Sequence, residues 1–494
     1  MRKISFFLLV FILISSCEKE TNTFLPLEQQ APLTRTEINN IITTTIQETG
    51  DFEWENTSAH VIWSALQLSD GLVTLGYGTS TASFEMNAAS NSIKERLLTT
   101  IYELEDVEAA ATTLVLFEEE VINVLDLTIL KKATVEALLE DPEVRYVTPS
   151  GYRFLDFSQA KSTTSSSLFG CNTDAVTLAT QDYRIVSPGA KVPWNFDSHN
   201  IPQAWEHSTG AGITIAIVDT GLSPEQSLMN SSFNDGFSNG RTVEKNGTYV
   251  DSWWFWSTET DGVDDQCGHG SKMAAVATAP RNNNNLPVGV AYNANLVTYR
   301  AVSDVFMDSY HEQRGVFDAL VALADREDVD IISMSIGHPF TINRVKDAIR
   351  YAHSRGKLIF AAGGTSSSFT SWYGVIFPAS MPETVAVTGV KENEYTSCDS
   401  CHAGPQIDFT VEMERENTLS HVPILSYYND EENYVGGSSV ATATTAGIAA
   451  LVWAKHPNWT RAQVLQKMKE SADFYPTRNA LYGYGKIDVL QAVQ

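Results

Sequence analysis

The part of the chain that most constrains its fold is the second half, where apolar, β-branched runs alternate with amphipathic segments. Segments such as 316–324 and 342–352 carry apolar residues at helical spacing. Runs that are apolar throughout are typical of strands buried on both faces, and helices between them imply parallel connections. The pattern therefore predicts an α/β domain with a doubly wound parallel sheet over residues 191–494. The predicted strands are 213–218, 296–299, 329–336, 357–362 and 384–390.

Three reactive side chains each lie near a glycine and at the end of an apolar run. Asp219 ends the run 213–218, His269 follows Cys267-Gly268, and Ser439 follows Gly437-Ser438. Ligands in doubly wound sheets bind beyond the carboxyl ends of the strands, and glycine lets a backbone approach them closely. A serine hydroxyl becomes a nucleophile when an imidazole within hydrogen-bond reach removes its proton, and a buried carboxylate orients that imidazole. Together the three segments indicate nucleophilic catalysis by serine.

The region from Val192 to Gln494 resembles the subtilisin-like serine proteases, the subtilases or peptidase S8 family. The order Asp, His, Ser along the chain is that of subtilisin itself. This resemblance implies a serine endopeptidase in which Ser439 is the nucleophile, His269 the general base and Asp219 the orienting carboxylate. Ser439 precedes a small-residue run suited to a helix, whose free N–H groups favour an oxyanion.

Two further blocks resemble the substrate-binding parts of that family. Ser335-Ile336-Gly337 resembles the strand that pairs with extended substrate backbone, a mode in which main-chain bonds supply affinity. Ala361-Ala362-Gly363 and Phe377-Pro378-Ala379 resemble the walls of the pocket for the residue before the scissile bond. The resemblance also implies a cis bond between Phe377 and Pro378. Ordinary core strands are the alternative interpretation of both blocks.

The chain departs from the family at Gly364, where the usual Ala-Ala-Gly-Asn becomes Ala361-Ala362-Gly363-Gly364. The missing asparagine side chain donates to the oxyanion, and its loss costs roughly 100- to 1000-fold in rate, a figure measured within this same family. The departure predicts a slower enzyme, or a substitute donor such as Thr365 or a water in the oxyanion region. The alternative is a weak or inactive pseudoprotease that binds peptides.

The first 17 residues are typical of an export signal. Arg2-Lys3 precede an apolar stretch from Ile4 to Ile14, and Ile14-Ser15-Ser16-Cys17 resembles a bacterial lipobox in which Cys17 is lipidated. We expect an exported lipoprotein on the periplasmic face of the outer membrane or the cell surface, held there by the lipid; an ordinary secretory signal is the alternative. Residues 18–38, polar and proline-containing, are interpreted as a tether.

Residues 39–150 predict a smaller α+β unit, with strands near 114–117, 124–127 and 144–147 and a helix at 134–140. The segment Val135–Val147 resembles the inhibitory propeptide of subtilases. This implies a zymogen that is cut within the linker 151–190, which contains the polar run Lys161–Ser167. An accessory domain that is never removed is the alternative.

Beyond Cys17 the chain has four cysteines, Cys171, Cys267, Cys398 and Cys401. Export places them where disulfides persist, and four cysteines allow three pairings. We favour a local Cys398–Cys401 loop and a long-range Cys171–Cys267 bond. The segment Cys398-Asp399-Ser400-Cys401-His402 also matches the pattern for covalent haem attachment, and an electron carrier is therefore a second functional alternative.

The net charge of −27, without a basic run, argues against nucleic acid as a partner. The expected partners are a polypeptide substrate, the chain's own propeptide and the membrane, through the lipid at Cys17. No cofactor is required by the predicted chemistry. Calcium is common in the family and Asn282–Asn285 lie near a family calcium loop, but no carboxylate partner is evident and no metal ligand is assigned.

Overall fold

The computed structural model describes residues 31–78, 87–107, 114–154, 171–365, 374–429 and 431–494. The predicted signal peptide with Cys17, most of the predicted tether and the run Lys161–Ser167 lie outside the described residues. The described chain forms an N-terminal unit, residues 31–154, and a C-terminal domain, residues 171–494.

The N-terminal unit is an antiparallel sheet with helices packed on one face. Side chains alternate along each strand, so a single strand serves both faces of the sheet. In the third strand Leu125 and Leu127 enter the core shared with the unit's own helices, whereas Val124 packs with helices of the C-terminal domain. The strands are β1 Leu72–Tyr77, β2 Val115–Glu118, β3 Val124–Thr128 and β4 Val144–Thr148, in the order β2-β3-β1-β4, and the helices are α1 Arg35–Thr49, α2 Ala59–Gln67, α3 Ala88–Glu105 and α4 Lys132–Glu140.

Seven parallel strands form the centre of the C-terminal domain, as the run of apolar segments predicts. Ile215 and Ile217 enter the core on one face of the sheet, and Ala216 and Val218 enter the core on the other. The strands are β7 Thr214–Asp219, β8 Val243–Gly247, β9 Asn295–Arg300, β10 Ile331–Met334, β11 Leu358–Ala362, β12 Val385–Lys391 and β13 Ile407–Glu414, in the order β13-β12-β11-β10-β7-β9-β8. The doubly wound α/β fold is therefore confirmed.

Helices cover both faces of this sheet, and two small hairpins lie beside it. The hairpins pair β5 Tyr183–Val186 with β6 Ala190–Pro193 and β14 Val422–Leu425 with β15 Glu432–Val435. The helices are α5 Trp194–Ser198, α6 Ile201–Ala204, α7 His269–Thr278, α8 Tyr310–Ala324, α9 Asn343–Ser354, α10 Gly437–Lys455, α11 Arg461–Glu470 and α12 Val489–Val493.

The long helix α10 runs through the core on one face of the sheet. Among the described residues it is the one helix long and apolar enough to cross a membrane, but 89% of its most apolar stretch is buried inside the protein. Its small residues permit close packing, because a Cβ on Gly447 would lie 2.6 Å from Cβ of Val290. The helix is therefore a core element, and its first turn lies at the carboxyl end of β10 in the centre of the sheet.

The structure differs from the sequence interpretation at the domain edges. Helix α1 begins at Arg35, inside the predicted tether, and buries Ile38, Ile42 and Ile46. Residues after Cys171 pack on the C-terminal domain, where the Val176 amide donates to the carbonyl of Glu432 at 2.8 Å. Both favoured disulfides, Cys171–Cys267 and Cys398–Cys401, are present.

Candidate active site

Asp219 and His269 form a buried hydrogen-bonded pair at the carboxyl end of the central strand. Asp219 is the last residue of β7, and His269 is the first residue of α7, directly after Gly268 in the left-handed region at φ 85°. Nδ1 of His269 lies 2.8 and 3.0 Å from the two carboxylate oxygens of Asp219. Asp219 is fully buried and His269 is 5% exposed. This geometry leaves Nε2 of the imidazole for proton transfer.

Ser439 is the third residue of α10, in the first helical turn. Its hydroxyl donates to the carbonyl oxygen of Ser335 at 3.5 Å, and the Ser335 hydroxyl donates back to the carbonyl of Ser439 at 3.0 Å. Within the described chain no hydrogen bond joins Ser439 to His269 directly. Catalytic hydrogen bonds are often long in unliganded enzymes and shorten when substrate binds. The structure thus places Ser439 beside Ser335, the residue that follows the carboxyl end of β10.

Asp265 is a buried carboxylate that organises the turn before His269. It is 1% exposed and accepts from the amides of Cys267 and Gly268, both at 2.8 Å. It also accepts from the amide and hydroxyl of Ser271, at 2.9 and 2.7 Å, and from the hydroxyl of Thr220 at 2.9 Å. Burial raises the pKa of Asp265, and these hydrogen bonds oppose that rise. One carboxylate therefore joins the residue after Asp219 to the helix that begins at His269.

The segments that carry Asp219 and His269 are also in direct backbone contact. The amide of Gly270 donates to Thr220 Oγ1 at 2.8 Å. A Cβ on Gly270 would lie 2.5 Å from the carbonyl oxygen of Gly221, so only glycine fits at this position. The turn Cys267-Gly268-His269-Gly270 is thus glycine-rich because the chain passes closely on both sides of it.

The predicted oxyanion region contains two hydroxyl groups beside Gly364. The amide of Gly364 donates to Ser438 Oγ at 3.2 Å, and the hydroxyls of Thr365 and Ser438 are 3.0 Å apart. The amide of Ser438 donates in turn to Thr365 Oγ1 at 3.3 Å. Thr365 therefore contacts Ser438, the residue that precedes Ser439.

The other predicted binding residues lie around this centre. Ala361 and Ala362 end β11, and Gly363 follows them, with its amide donating to the Val387 carbonyl at 2.8 Å. The Phe377–Pro378 bond is cis, as the resemblance implies. Ser335 and Ile336 are buried, and both main-chain groups of Gly337 pair with the segment 305–307: its amide with the Val305 carbonyl at 3.0 Å, its carbonyl with the Met307 amide at 3.1 Å.

Metal-binding side chains are not grouped in the described part of the chain: no three His, Cys, Asp or Glu residues are placed there to hold an ion. Asn282 bonds instead to Asp235, with Nδ2 donating to Oδ2 at 3.0 Å. Cys398 and Cys401 are bonded to each other, which leaves neither sulfur for attachment to a haem. The C-x-x-C-H segment thus forms a small loop closed by the disulfide, and its last residue, His402, lies beside Gly364.

Three residues near the site were not assigned a role from the sequence. Asp265 and Thr220 organise the His269 turn, and His402 lies against Gly364, where a Cβ would come within 2.4 Å of its Nδ1. The signal for Asp265 is an aspartate just before a glycine-containing turn, which is typical of side-chain to backbone bonding. No local signal connects His402 with Gly364, because 37 residues separate them.

Comparison with known proteins finds matches over the part of the chain that holds the candidate site. The family model described as "Subtilase family" matches residues 210–485, a span that contains Asp219, His269 and Ser439. Subtilisin E of Bacillus subtilis (strain 168) is 27% identical over 323 residues, which cover 65% of this chain and 76% of the relative. A subtilisin of Bacillus pumilus is 29% identical over 289 residues, 58% of this chain and 92% of the relative. The crystal structure of MycP1 from Mycobacterium smegmatis is 20% identical, with a TM-score of 0.46, and the match covers 66% of this chain and 90% of that one.

Proposed function

Because the chain belongs to the subtilase family of serine endopeptidases, we propose that it is an exported, lipid-anchored member that is made as a zymogen and uses Asp219, His269 and Ser439 as its triad. The observation that carries the proposal is the buried Asp219–His269 pair at the end of β7. Strand β10 pairs with β7 with Met334 opposite Val218, so Ser335, which bonds to Ser439, follows at the same end of the sheet. A carboxylate in this position fixes the imidazole tautomer and stabilises the imidazolium that forms during catalysis.

In the proposed reaction Ser439 attacks the peptide carbonyl while His269 takes the hydroxyl proton. His269 then gives that proton to the leaving amine, which completes the acyl-enzyme, and water releases the product by the same route. Asp219 accepts from Nδ1–H throughout, at 2.8 Å in the resting enzyme. The Ser439 hydroxyl must rotate from the Ser335 carbonyl towards His269 before the first step.

The oxyanion is proposed to form beside the Ser439 amide, in the region of Gly364 and Thr365. Gly364 has no side chain to donate, and the Thr365 hydroxyl is 3.0 Å from Ser438 Oγ, close to the nucleophile. A hydroxyl there replaces the carboxamide only in part, so we expect a slower enzyme than one with asparagine.

Peptide is proposed to bind as an extended strand along Ser335-Ile336-Gly337, with Ala361, Ala362 and Gly363 at the pocket for the residue before the scissile bond. In the resting structure both main-chain groups of Gly337 pair with residues 305–307. A peptide strand that pairs with both main-chain groups of Gly337 therefore requires segment 305–307 to separate from it, since the single N–H of Gly337 is already donated to Val305.

Support for a zymogen comes from the contact between the N-terminal unit and the C-terminal domain. Asp347 of α9 accepts from Arg145 at 2.6 Å and from the Tyr146 hydroxyl at 2.8 Å, both from β4. At the other end of the linker, the disulfide to Cys267 and the Asn172 amide, which donates to the Cys267 carbonyl at 3.0 Å, hold the chain beside the His269 turn. A cut that releases the N-terminal unit therefore falls before Cys171.

The lipid anchor is proposed from the sequence of residues 1–17 alone. Metabolic labelling with a radioactive fatty acid in a bacterial host tests it directly. We expect label in the wild-type protein and none in Cys17→Ala, because the thiol of Cys17 is the proposed attachment site. Equal labelling of both proteins, or of neither, would contradict the anchor without bearing on the protease.

The test of the catalytic proposal is self-cleavage by protein that lacks residues 1–17. We expect the intact mass of the wild type to fall with time to that of a form cut before Cys171, while Ser439→Ala stays full length. A fluorophosphonate probe should label the wild type and the matched variant Ser92→Ala, which changes an exposed serine of α3, but not Ser439→Ala. If the wild type neither cuts itself nor reacts with the probe, the chain is a peptide-binding pseudoprotease.

A further inference from the structure

The C-x-x-C-H segment lies directly opposite the glycine that replaces the family's asparagine. Thr365 and Cys401 form an antiparallel bridge, and the His402 amide donates to the Gly364 carbonyl at 3.0 Å. This register places His402 across from Gly364. Side chains that face each other across an antiparallel pair project on the same side. The His402 side chain therefore projects on the side that a side chain at position 364 would use.

The imidazole fills the room that such a side chain would need. A Cβ on Gly364 would lie 2.4 Å from Nδ1 of His402 and 3.1 Å from its Cγ and Cε1. The first distance is about the separation of Cβ from the amide nitrogen within an asparagine side chain. Gly364 also has φ 118°, a backbone conformation that other residues rarely adopt. Glycine at 364 and histidine at 402 thus depend on each other.

The disulfide loop holds His402 in this place. The Cys401 amide donates to the Cys398 carbonyl at 2.9 Å, and the Cys398 amide donates to the Gly389 carbonyl of β12 at 3.1 Å. The loop packs so closely on β12 that a Cβ on Gly389 would lie 2.8 Å from both sulfurs. The Thr388 hydroxyl donates to the main-chain carbonyl of His402. The residue His402 is 5% exposed. The loop is therefore fastened to the central sheet on both sides of the disulfide.

A short chain of contacts connects His402 with the nucleophile. His402 touches Gly364, the Gly364 amide donates to Ser438 Oγ at 3.2 Å, and Ser438 directly precedes Ser439. The hydroxyl of the next residue, Thr365, also contacts Ser438 and lies 3.0 Å from its Oγ. A shift of the backbone at 364 and 365 would move the Thr365 hydroxyl and would break the hydrogen bond from the Gly364 amide to Ser438 Oγ.

We propose that His402, carried by the Cys398–Cys401 loop, is a positioning residue of the oxyanion region that replaces the side chain absent at Gly364. It acts through the Gly364 backbone to hold the Ser438 and Thr365 hydroxyls beside Ser439. This inference rests on the proposed proteolytic function and assigns the C-x-x-C-H segment a role within it. The disulfide is then part of the active-site support rather than an isolated surface loop.

The experiment compares His402→Ala, Gly364→Asn and the double variant with wild type, as mature enzyme hydrolysing a chromogenic peptide. We expect His402→Ala to lower kcat by about 10- to 100-fold with KM within about threefold, since misplacement of about 1 Å costs this much. Gly364→Asn should lose as much or more, because its side chain meets the imidazole. The double variant should exceed Gly364→Asn by about tenfold, because the clash with the imidazole is gone. The strain of a side chain at φ 118° is present in both variants and therefore cancels in this comparison.

Three further variants separate positioning from general damage. His402→Gln keeps a polar side chain at the site and should retain more activity than His402→Ala. The pair Cys398→Ser/Cys401→Ser should reproduce the fall in kcat, because the loop that carries His402 is loosened. If His402→Ala does not fold, His402→Ser replaces it in the same comparison, and melting temperatures are measured for every variant.

The outcomes separate the inference from the function on which it rests. An active wild type with His402→Ala unchanged in kcat, or a double variant whose loss is the product of the single losses, overturns the inference alone. A change confined to KM overturns it as well, because the oxyanion acts on the chemical step. A wild type that neither hydrolyses peptide nor reacts with a fluorophosphonate overturns the proposed function and the inference together.

Discussion

The contact between the N-terminal unit and the C-terminal domain contains a buried ion pair whose disruption has a predictable cost. Arg344 of α9 has a side chain that is 1% exposed, and Asp126 of β3 is fully buried. Nη2 of Arg344 lies 3.0 Å from Oδ2 of Asp126, which also accepts from the Tyr310 hydroxyl at 2.7 Å. The Arg344 side chain is too deeply buried for solvent to replace this carboxylate, and the other acidic group beside it is Glu119, whose Oε1 lies 3.7 Å from the same Nη2. The perturbation is therefore Asp126→Asn, which keeps the shape and removes the charge.

The expected cost follows from the burial of both partners. Removing one member of a buried pair costs about 3–5 kcal/mol, or about 100- to 4000-fold in the folding equilibrium, when it leaves an uncompensated charge. We expect the lower end of this range, because Glu119 still faces Arg344. Replacing both members by apolar residues, as in Asp126→Leu/Arg344→Met, costs far less, because no charge is left behind. We therefore expect a coupling of at least about 2 kcal/mol between the two positions.

The assay is urea unfolding of protein that lacks residues 1–17 and carries Ser439→Ala, so that no self-cleavage occurs. The matched control is Asp197→Asn, which breaks a pair with Arg184 whose side chains are 43% and 45% exposed, and which should cost less than about 1 kcal/mol. The reasoning is refuted if Asp126→Asn costs no more than this control. It is refuted equally if the losses of Asp126→Leu and of Arg344→Met, each measured singly, add up to the loss in the double variant.

Three other perturbations test the turn before His269, a close backbone contact in that turn, and the pH dependence of the attachment of the N-terminal unit. Asp265→Asn cannot accept every hydrogen bond that the carboxylate accepts, so kcat should fall by about 10- to 100-fold with little change in KM, measured by peptide hydrolysis; an unchanged kcat contradicts its role. Gly270→Ala puts a methyl group 2.5 Å from the Gly221 carbonyl and should cost about 1–3 kcal/mol of stability, whereas Gly374→Ala, with nothing within 4 Å, should cost almost none in the same thermal melts. Burial raises the pKa of Glu119 from 4.5 to about 8 in the joined protein, so its contribution to attachment is complete below pH 4.5 and is lost as the pH rises towards 8. The cut N-terminal unit should therefore dissociate more readily at pH 8.5 than at pH 5.5 in size-exclusion chromatography, and Glu119→Gln should flatten this difference.

The parallel sheet was predictable because its signal is local. A strand such as Ile331–Met334 is buried at every position and apolar at all but Ser333, and burial on both faces is what favours this. The start of α1 also had a local signal, since Thr34 and Glu37 form a capping box, but the proline-containing sequence before it was interpreted as a tether. Strand β8 is polar, Val-Glu-Lys-Asn-Gly, and becomes a strand only because it pairs with β9 at the edge of the sheet.

In the candidate site, too, some features could be predicted from the sequence and others could not. Asp219, His269 and Ser439 were found from short motifs, and the structure brings Asp219 and His269 into a hydrogen-bonded pair. The support around them was predictable only in part. Asp265 bonds chiefly within its own turn, whereas its contact with Thr220 and the contact of His402 with Gly364 join separate segments. A sequence pattern reports neighbours along the chain, whereas these contacts depend on where separate segments meet.

By itself the sequence determined the α/β class, the four cysteines available for disulfides, and the residue types available for catalysis, because these depend on periodicity and composition along the chain. Only the tertiary structure decided that His402 takes the space left by Gly364 and that segment 305–307 pairs with Gly337. The physical reason is steric: two groups far apart in the chain compete for one volume, or share one hydrogen bond, only after the sheet has brought their segments together.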